Sequence, residues 1–88
     1  MHNDNDIKIT TYDRLLRAWE NSMELTRDFR MYSKHTEDDD KVRKMFEEFA
    51  KDEGIHAAEL REMLLKYIAD GKNERCENMI AIESLDGV

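Results

Sequence analysis

Glu53 and His56 are the residues of this chain whose types and spacing could do chemistry. Three residues apart on a helix, they project side by side. One offers carboxylate oxygens and the other an imidazole nitrogen to the same ion. Their setting makes the pair informative. Residues 41–67 contain Gly54 but no proline, and their apolar residues return at helical spacing. Val42, Met45, Phe46, Phe49, Ala57, Leu60, Met63, Leu64 and Tyr67 share one stripe at about 3.6 residues per turn. Glu53 falls near the centre of that stripe and His56 about 50° to one side. An uncompensated carboxylate in a core costs on the order of several kcal/mol. A proton, a basic partner or a metal ion is therefore expected beside Glu53.

The elements that must position the pair are helical. The 88 residues are 40% apolar and 40% charged, with three glycines and no proline, a composition that reads as one small all-α domain. Thr10-Thr11-Tyr12-Asp13 is a capping-box-like start for a first helix over about residues 11–34. Its apolar side carries Tyr12, Leu15, Leu16, Trp19, Met23, Leu25 and Phe29, with Ser22 and Thr26 filling the same side. Lys34-His35-Thr36 is a short connection. Thr36-Glu37-Asp38-Asp39 is a second capping signature, and its acidic run suits the partial positive charge of a helix N-terminus better than it suits a cation site. The second helix runs to about Asp70, where Gly71 stops it. A short turn makes the two an antiparallel hairpin. The chain divides into a flexible tail over 1–10, the hairpin over 11–71, and a short C-terminal helix with a tail over 72–88.

Two long amphipathic helices cannot bury both stripes within one hairpin, so self-association is expected, as a homodimer or a higher homo-oligomer. The formal net charge of −7 and the lack of a basic patch argue against nucleic-acid binding. The chain has no apolar run long enough to span a membrane and does not open on a secretory signal. Cys76 is the single cysteine, which rules out an intrachain disulfide and suits a cytoplasmic location. The six methionines lie at core spacing and read as packing rather than as soft-metal ligands. Trp19 and Tyr32 likewise read as hairpin packing.

A Glu-x-x-His from each of two helices, with a Glu from each of two more, makes the four-carboxylate, two-histidine box of di-iron helical bundles. One hairpin supplies half of that inventory and a two-fold dimer all of it, while covering both apolar stripes. The midpoint of Glu53 and His56 lies about 19 residues past the turn, level with about residue 17 of the first helix. Glu20 is close to that level, and Glu24 is about 6 Å nearer the turn. Glu20 suits a site inside one hairpin's bundle; Glu24 suits a site between offset subunits.

These residues carry a resemblance. Met45 to Ala57, MFEEFAKDEGIHA, resembles the second helix of rubrerythrins and their ferritin-like relatives, in which a helix of pattern FEE-x-A-x-x-E-x-x-H-A carries Glu and His iron ligands. The resemblance extends loosely over residues 12–70. The spacing from Glu20 to Glu53 fits rubrerythrins, and that from Glu24 to Glu53 is nearer to the two-helix encapsulated ferritins, which build their iron site between subunits. It implies a ferritin-like four-helix bundle made by dimerisation. It also implies a di-iron site shared between subunits, with Glu53, His56 and Glu20 or Glu24 as metal ligands, and ferroxidase or peroxide-scavenging oxidoreductase chemistry. The chain departs from rubrerythrins in having one Glu-x-x-His and no Cys-x-x-Cys pairs, and its last residues do not resemble the peptide that loads cargo into encapsulin shells. A reading from another class stands beside this one. In it the chain is a metal-free helical dimerisation or interaction module, in which Glu53 and His56 bond each other or a partner's basic group.

Overall fold

The first helix starts where a capping box lets it. The Thr10 hydroxyl accepts from the Asp13 backbone N–H at 2.9 Å, and the Asp13 carboxylate accepts from the Thr10 N–H at 3.0 Å. Two of the N–H groups that a helix start leaves without partners are satisfied in this way. From there α1 runs over Thr11–His35. In the computed structural model, residues 8–75 are described, and they form two helices packed against each other with no strand among the described residues.

The second helix, α2, is Asp40–Ala69. Its N-cap is Asp39, whose side chain accepts from the Val42 N–H at 3.1 Å. Thr36, expected to begin this helix, instead closes α1. Its hydroxyl donates to the Tyr32 carbonyl at 2.6 Å and its N–H to the Ser33 carbonyl at 3.4 Å. At the far end Gly71 takes φ +73°, a left-handed conformation that costs little only for glycine. Its N–H reaches the Ile68 carbonyl, and the Lys72 N–H reaches the Tyr67 carbonyl at 2.8 Å. This is the paired closure of a Schellman motif, as the sequence predicts for that glycine.

The two helices meet along a seam that follows a heptad rule. Tyr12, Leu15, Trp19, Ser22, Thr26, Phe29 and Ser33 of α1 are spaced alternately three and four apart, and so are Phe46, Ala50, Glu53, Ala57, Leu60, Leu64 and Tyr67 of α2. This is the pattern of a two-stranded antiparallel coiled coil. The most completely buried seam positions are mostly small: Ser22, Thr26, Ser33, Ala50 and Ala57. Small side chains let the backbones approach closely. The buried Thr26 hydroxyl is satisfied within its own helix by the Ser22 carbonyl at 2.8 Å. Near the turn the seam is aromatic. Phe29 stacks on Phe46 with ring centroids 6.0 Å apart and meets the edge of Phe49 at 5.4 Å, while Tyr32 leans on Phe46 at 5.4 Å.

The open end of the hairpin is closed by residues 72–75, which come back to the start of α1. The Thr10 hydroxyl donates to the Glu74 carbonyl at 2.8 Å. Arg75 sits 3.7 Å from the Asp13 carboxylate and over the Tyr12 ring. Asp13, only 1% exposed, therefore serves both the helix cap and this closure. Residues 72–75 are not helical; the rest of the expected C-terminal helix, with Cys76, lies outside the described residues. Neither helix is long and apolar enough to cross a membrane.

Two substitutions one turn apart on α2 test this packing. Ala57→Leu forces the seam open and is expected to cost about 1–3 kcal/mol. Gly54→Ala adds a methyl group that meets nothing within 4 Å and removes the mid-helix penalty of glycine, so a gain of about 1 kcal/mol is expected. Urea unfolding followed by circular dichroism reads both, and a loss on Gly54→Ala would contradict the open space at that position.

Candidate functional site

The site is built on the fourth and fifth turns of α2. Glu53 is a seam residue, one heptad position from both Ala50 and Ala57, and its side chain is 22% exposed. Three residues after Ala50 and four before Ala57, this position would be apolar in an undisturbed seam; here a carboxylate lies at the mouth of the interhelical groove. His56 follows one turn later, with its side chain 57% exposed. Its Nδ1 lies 3.7 Å from Glu53 Oε1, an ion-pair distance beyond direct hydrogen bonding. The two residues read from the sequence as one unit are therefore side by side.

They are less buried than their place on the apolar stripe suggests. Met45, Phe49 and Met63 belong to that stripe but are 40–44% exposed, whereas Ala50, Ala57 and Leu64 are buried. The helix is turned so that its small residues face α1. Glu53 and His56 then sit on the border between the seam and an exposed apolar strip. Met45, Phe49, His56 and Met63 share one edge of α2, and Leu25 and Tyr32, seven apart and likewise exposed, continue the strip onto α1. Tyr32 joins the two helices there through Phe46.

Glu20 and Glu24, the first-helix residues expected to complete a metal site, are both exposed. Counting about 100° per residue from the buried Ser22, they stand about 160° away on either side, on the back of α1. The hairpin does not bring them to Glu53. Among the described residues no three His, Cys, Asp or Glu side chains converge in a way that could hold a metal ion. One hairpin thus brings two donors together, Glu53 and His56, without the first-helix carboxylate that its half of a di-iron box would add. The positions of α1 that do border the strip are Leu25 and Ala18, which have nothing to coordinate with. Heptad counting along α1 carries the signal for this, since it puts the seam on Ser22 and Thr26 and leaves Glu20 and Glu24 behind it.

The other ion pairs of α2 are exposed or partly exposed and join residues of that one helix. Arg43 reaches Asp40 at 3.2 Å and Glu47 at 3.4 Å, and Lys51 reaches Glu48 at 3.8 Å. Exposed pairs of this kind contribute about 0.2–0.5 kcal/mol each. His35 ends α1 in its last turn, where a cation suits the helix C-terminus.

No family model, curated protein or solved structure matches the chain.

The exposure of Glu53 and His56 sets the size of their mutual interaction. A double-mutant cycle of Glu53→Gln and His56→Gln, in metal-free buffer containing a chelator, is expected to give a coupling of no more than about 0.5 kcal/mol. A coupling several times larger would show that the pair holds the hairpin together by itself.

Proposed function

We propose that this chain is a self-associating helical hairpin, and that Glu53 and His56 form half of a divalent-metal site completed by the same two residues of a second copy. The observation that carries the proposal is the position of the pair: two metal-competent side chains 3.7 Å apart, on the border of an apolar strip that nothing in the hairpin covers. Met45, Phe49 and Met63 are each 40–44% exposed along one edge of α2, and a contiguous apolar strip of this kind is what a partner surface covers. Pairing two hairpins along this strip makes a four-helix bundle. In that bundle Glu53 and His56 lie on either side of the direction that points to its axis. The inventory is then two carboxylates and two imidazoles, enough for one four-coordinate ion.

Iron is the metal that the resemblance to ferritin-like proteins favours. In such a site the ion would supply redox chemistry toward oxygen or peroxide, and the chain's part would be to hold it. Glu53 would neutralise its charge, His56 would give it a nitrogen donor, and Phe49 with Met45 would exclude water. The di-iron form of the reading needs a first-helix carboxylate, and the outward positions of Glu20 and Glu24 weigh against it. Those same positions favour the second reading, a metal-free dimerisation module in which the pair is only an interfacial ion pair.

The experiment is a metal analysis and a thermal melt on protein from iron-supplemented cells, with sedimentation to give its mass. Bound iron, lost on Glu53→Ala or His56→Ala, and a melting temperature lowered by a chelator are expected, because a ligand of the native state must stabilise it. Phe49→Glu is expected to return the protein to a monomer. A dimer whose melt ignores the chelator selects the metal-free module, and a monomeric wild-type chain overturns both readings.

A further inference from the structure

Across the seam from His56 and Phe49 lies a second feature, a cleft of ≈ 400 Å³. Counted from Glu53, His56, Phe49, Met45 and Met63 lie about 40–80° to one side, while Gly54, Ala58 and Arg61 lie about 80–140° to the other. The cleft is floored by Trp19 and Met23 of α1 against Gly54 and Ala58 of α2, and Arg27, Arg30 and Arg61 stand around it. Its volume lies in the range of about 300–1,000 Å³ usual for small-molecule sites, and its make-up, apolar with a few convergent polar groups, is also usual for them.

Two properties of the cleft are not accounted for by the hairpin's own packing. The first is Gly54. It is in the interior of a 30-residue helix, where glycine weakens the helix relative to alanine. Glycine is otherwise useful where φ must be positive or where another group presses against the backbone. Among the described residues only Gly71 has positive φ, and a Cβ added to Gly54 meets nothing within 4 Å. The space that its missing side chain leaves is open, and it belongs to the cleft.

The second property is the state of the arginines. The chain carries a net charge of −7, and Arg43 and Arg75 have acidic partners. Arg27, Arg30 and Arg61 have no carboxylate in ion-pair contact among the described residues. Glu47, which borders a neighbouring hollow together with Arg30, is engaged by Arg43 at 3.4 Å. Three guanidinium groups around an apolar hollow, in an acidic protein with many carboxylates to spare, form a site of positive potential.

We infer that this cleft binds a small amphiphilic anion. Its apolar chain or ring lies over Trp19, Met23 and the open face of Gly54, and its carboxylate, sulfonate or phosphate is taken by Arg27 and Arg30. Those two arginines are three apart on α1 and so project together, and the planar guanidinium fork matches such oxyanions. Arg61 closes the other end of the hollow and lays its aliphatic stem along the ligand. The site uses none of Glu53, His56 or the exposed aromatic strip, so it stands or falls apart from the metal reading. It also stays open to solvent when two hairpins pair along that strip.

Trp19 is the single tryptophan, so its emission reports on the cleft alone. The full chain is titrated with decanoate below its micelle concentration. A saturable blue shift is expected. Decanol, with the same tail and no charge, and acetate, with the same head and no tail, are each expected to bind at least about tenfold more weakly. Gly54→Leu fills the hollow from its floor. It is expected to abolish the saturable response while helicity and melting temperature hold or rise. Arg27→Gln with Arg30→Gln is expected to weaken decanoate by about tenfold or more and to leave decanol unchanged. No saturable response to decanoate, an equal response to decanol, or binding retained by Gly54→Leu would each overturn the inference. So would a shift seen with phosphatidylglycerol vesicles but not with monomeric decanoate, since a bilayer surface and not the cleft would then be the partner.

Discussion

Everything in this structure follows from how closely two helices approach each other. Ser22, Thr26, Ser33, Ala50 and Ala57 sit at the line of contact and are buried. Bulkier residues at the same seam, such as Phe29, Phe46 and Leu60, are covered only in part. A pair of helices has one shared surface, and its area is limited by the width of a single stripe on each. When small residues occupy that stripe, backbone contact is gained and hydrophobic area is lost. The large apolar side chains that would supply the area are displaced to the flanks. The hairpin therefore has two unlike borders, one aromatic and methionine-rich, the other lined with arginine.

Helix ends were legible in the sequence because capping is local chemistry. Thr10 with Asp13, and Gly71 after Asp70, each act on groups within a few residues, and both are found as the sequence predicts. The start of α2 was less so. Thr36 and Asp39 both look like N-caps, and choosing between them depends on whether Thr36 is still needed by α1. Its hydroxyl bond to the Tyr32 carbonyl shows that it is. This competition between two helix ends over one short connection cannot be seen by reading either helix alone.

The facing side of α2 was legible only in part, for a different reason. Hydrophobicity weights Met45, Phe49 and Met63 heavily and alanine lightly, so a helical wheel points at the average of all apolar surface. That average is the right answer for a helix with one buried face. Here the apolar residues serve both the seam and the exposed strip, and the average falls between the two. The wheel therefore puts Glu53 at the centre of burial, whereas its side chain lies at the edge, 22% exposed. Glu20 and Glu24 suit a shared site by height along the hairpin, which is set by the turn, but not by direction, which is set by the seam. The pairing of Glu53 with His56 was legible because an i, i+3 relation does not depend on how the helix is rotated.

The half-buried position of Glu53 ties its carboxylate energetically to the exposed strip beside it. In the lone hairpin its carboxylate still touches water, and its contact with His56 contributes little. In the proposed pair the strip beside it is covered, and the same carboxylate loses that water. Two such groups brought together would oppose association unless positive charge arrives with them. A divalent ion meets that need directly, because it neutralises both carboxylates and uses both imidazoles. Its binding and the joining of the two copies then become one linked equilibrium, in which metal concentration sets how much of the chain is paired. A hydrophobic residue at position 53 would make the association tighter and indifferent to metal. In the proposed pair a glutamate makes it conditional, at the one α2 seam position whose heptad neighbours are otherwise alanine, leucine or aromatic.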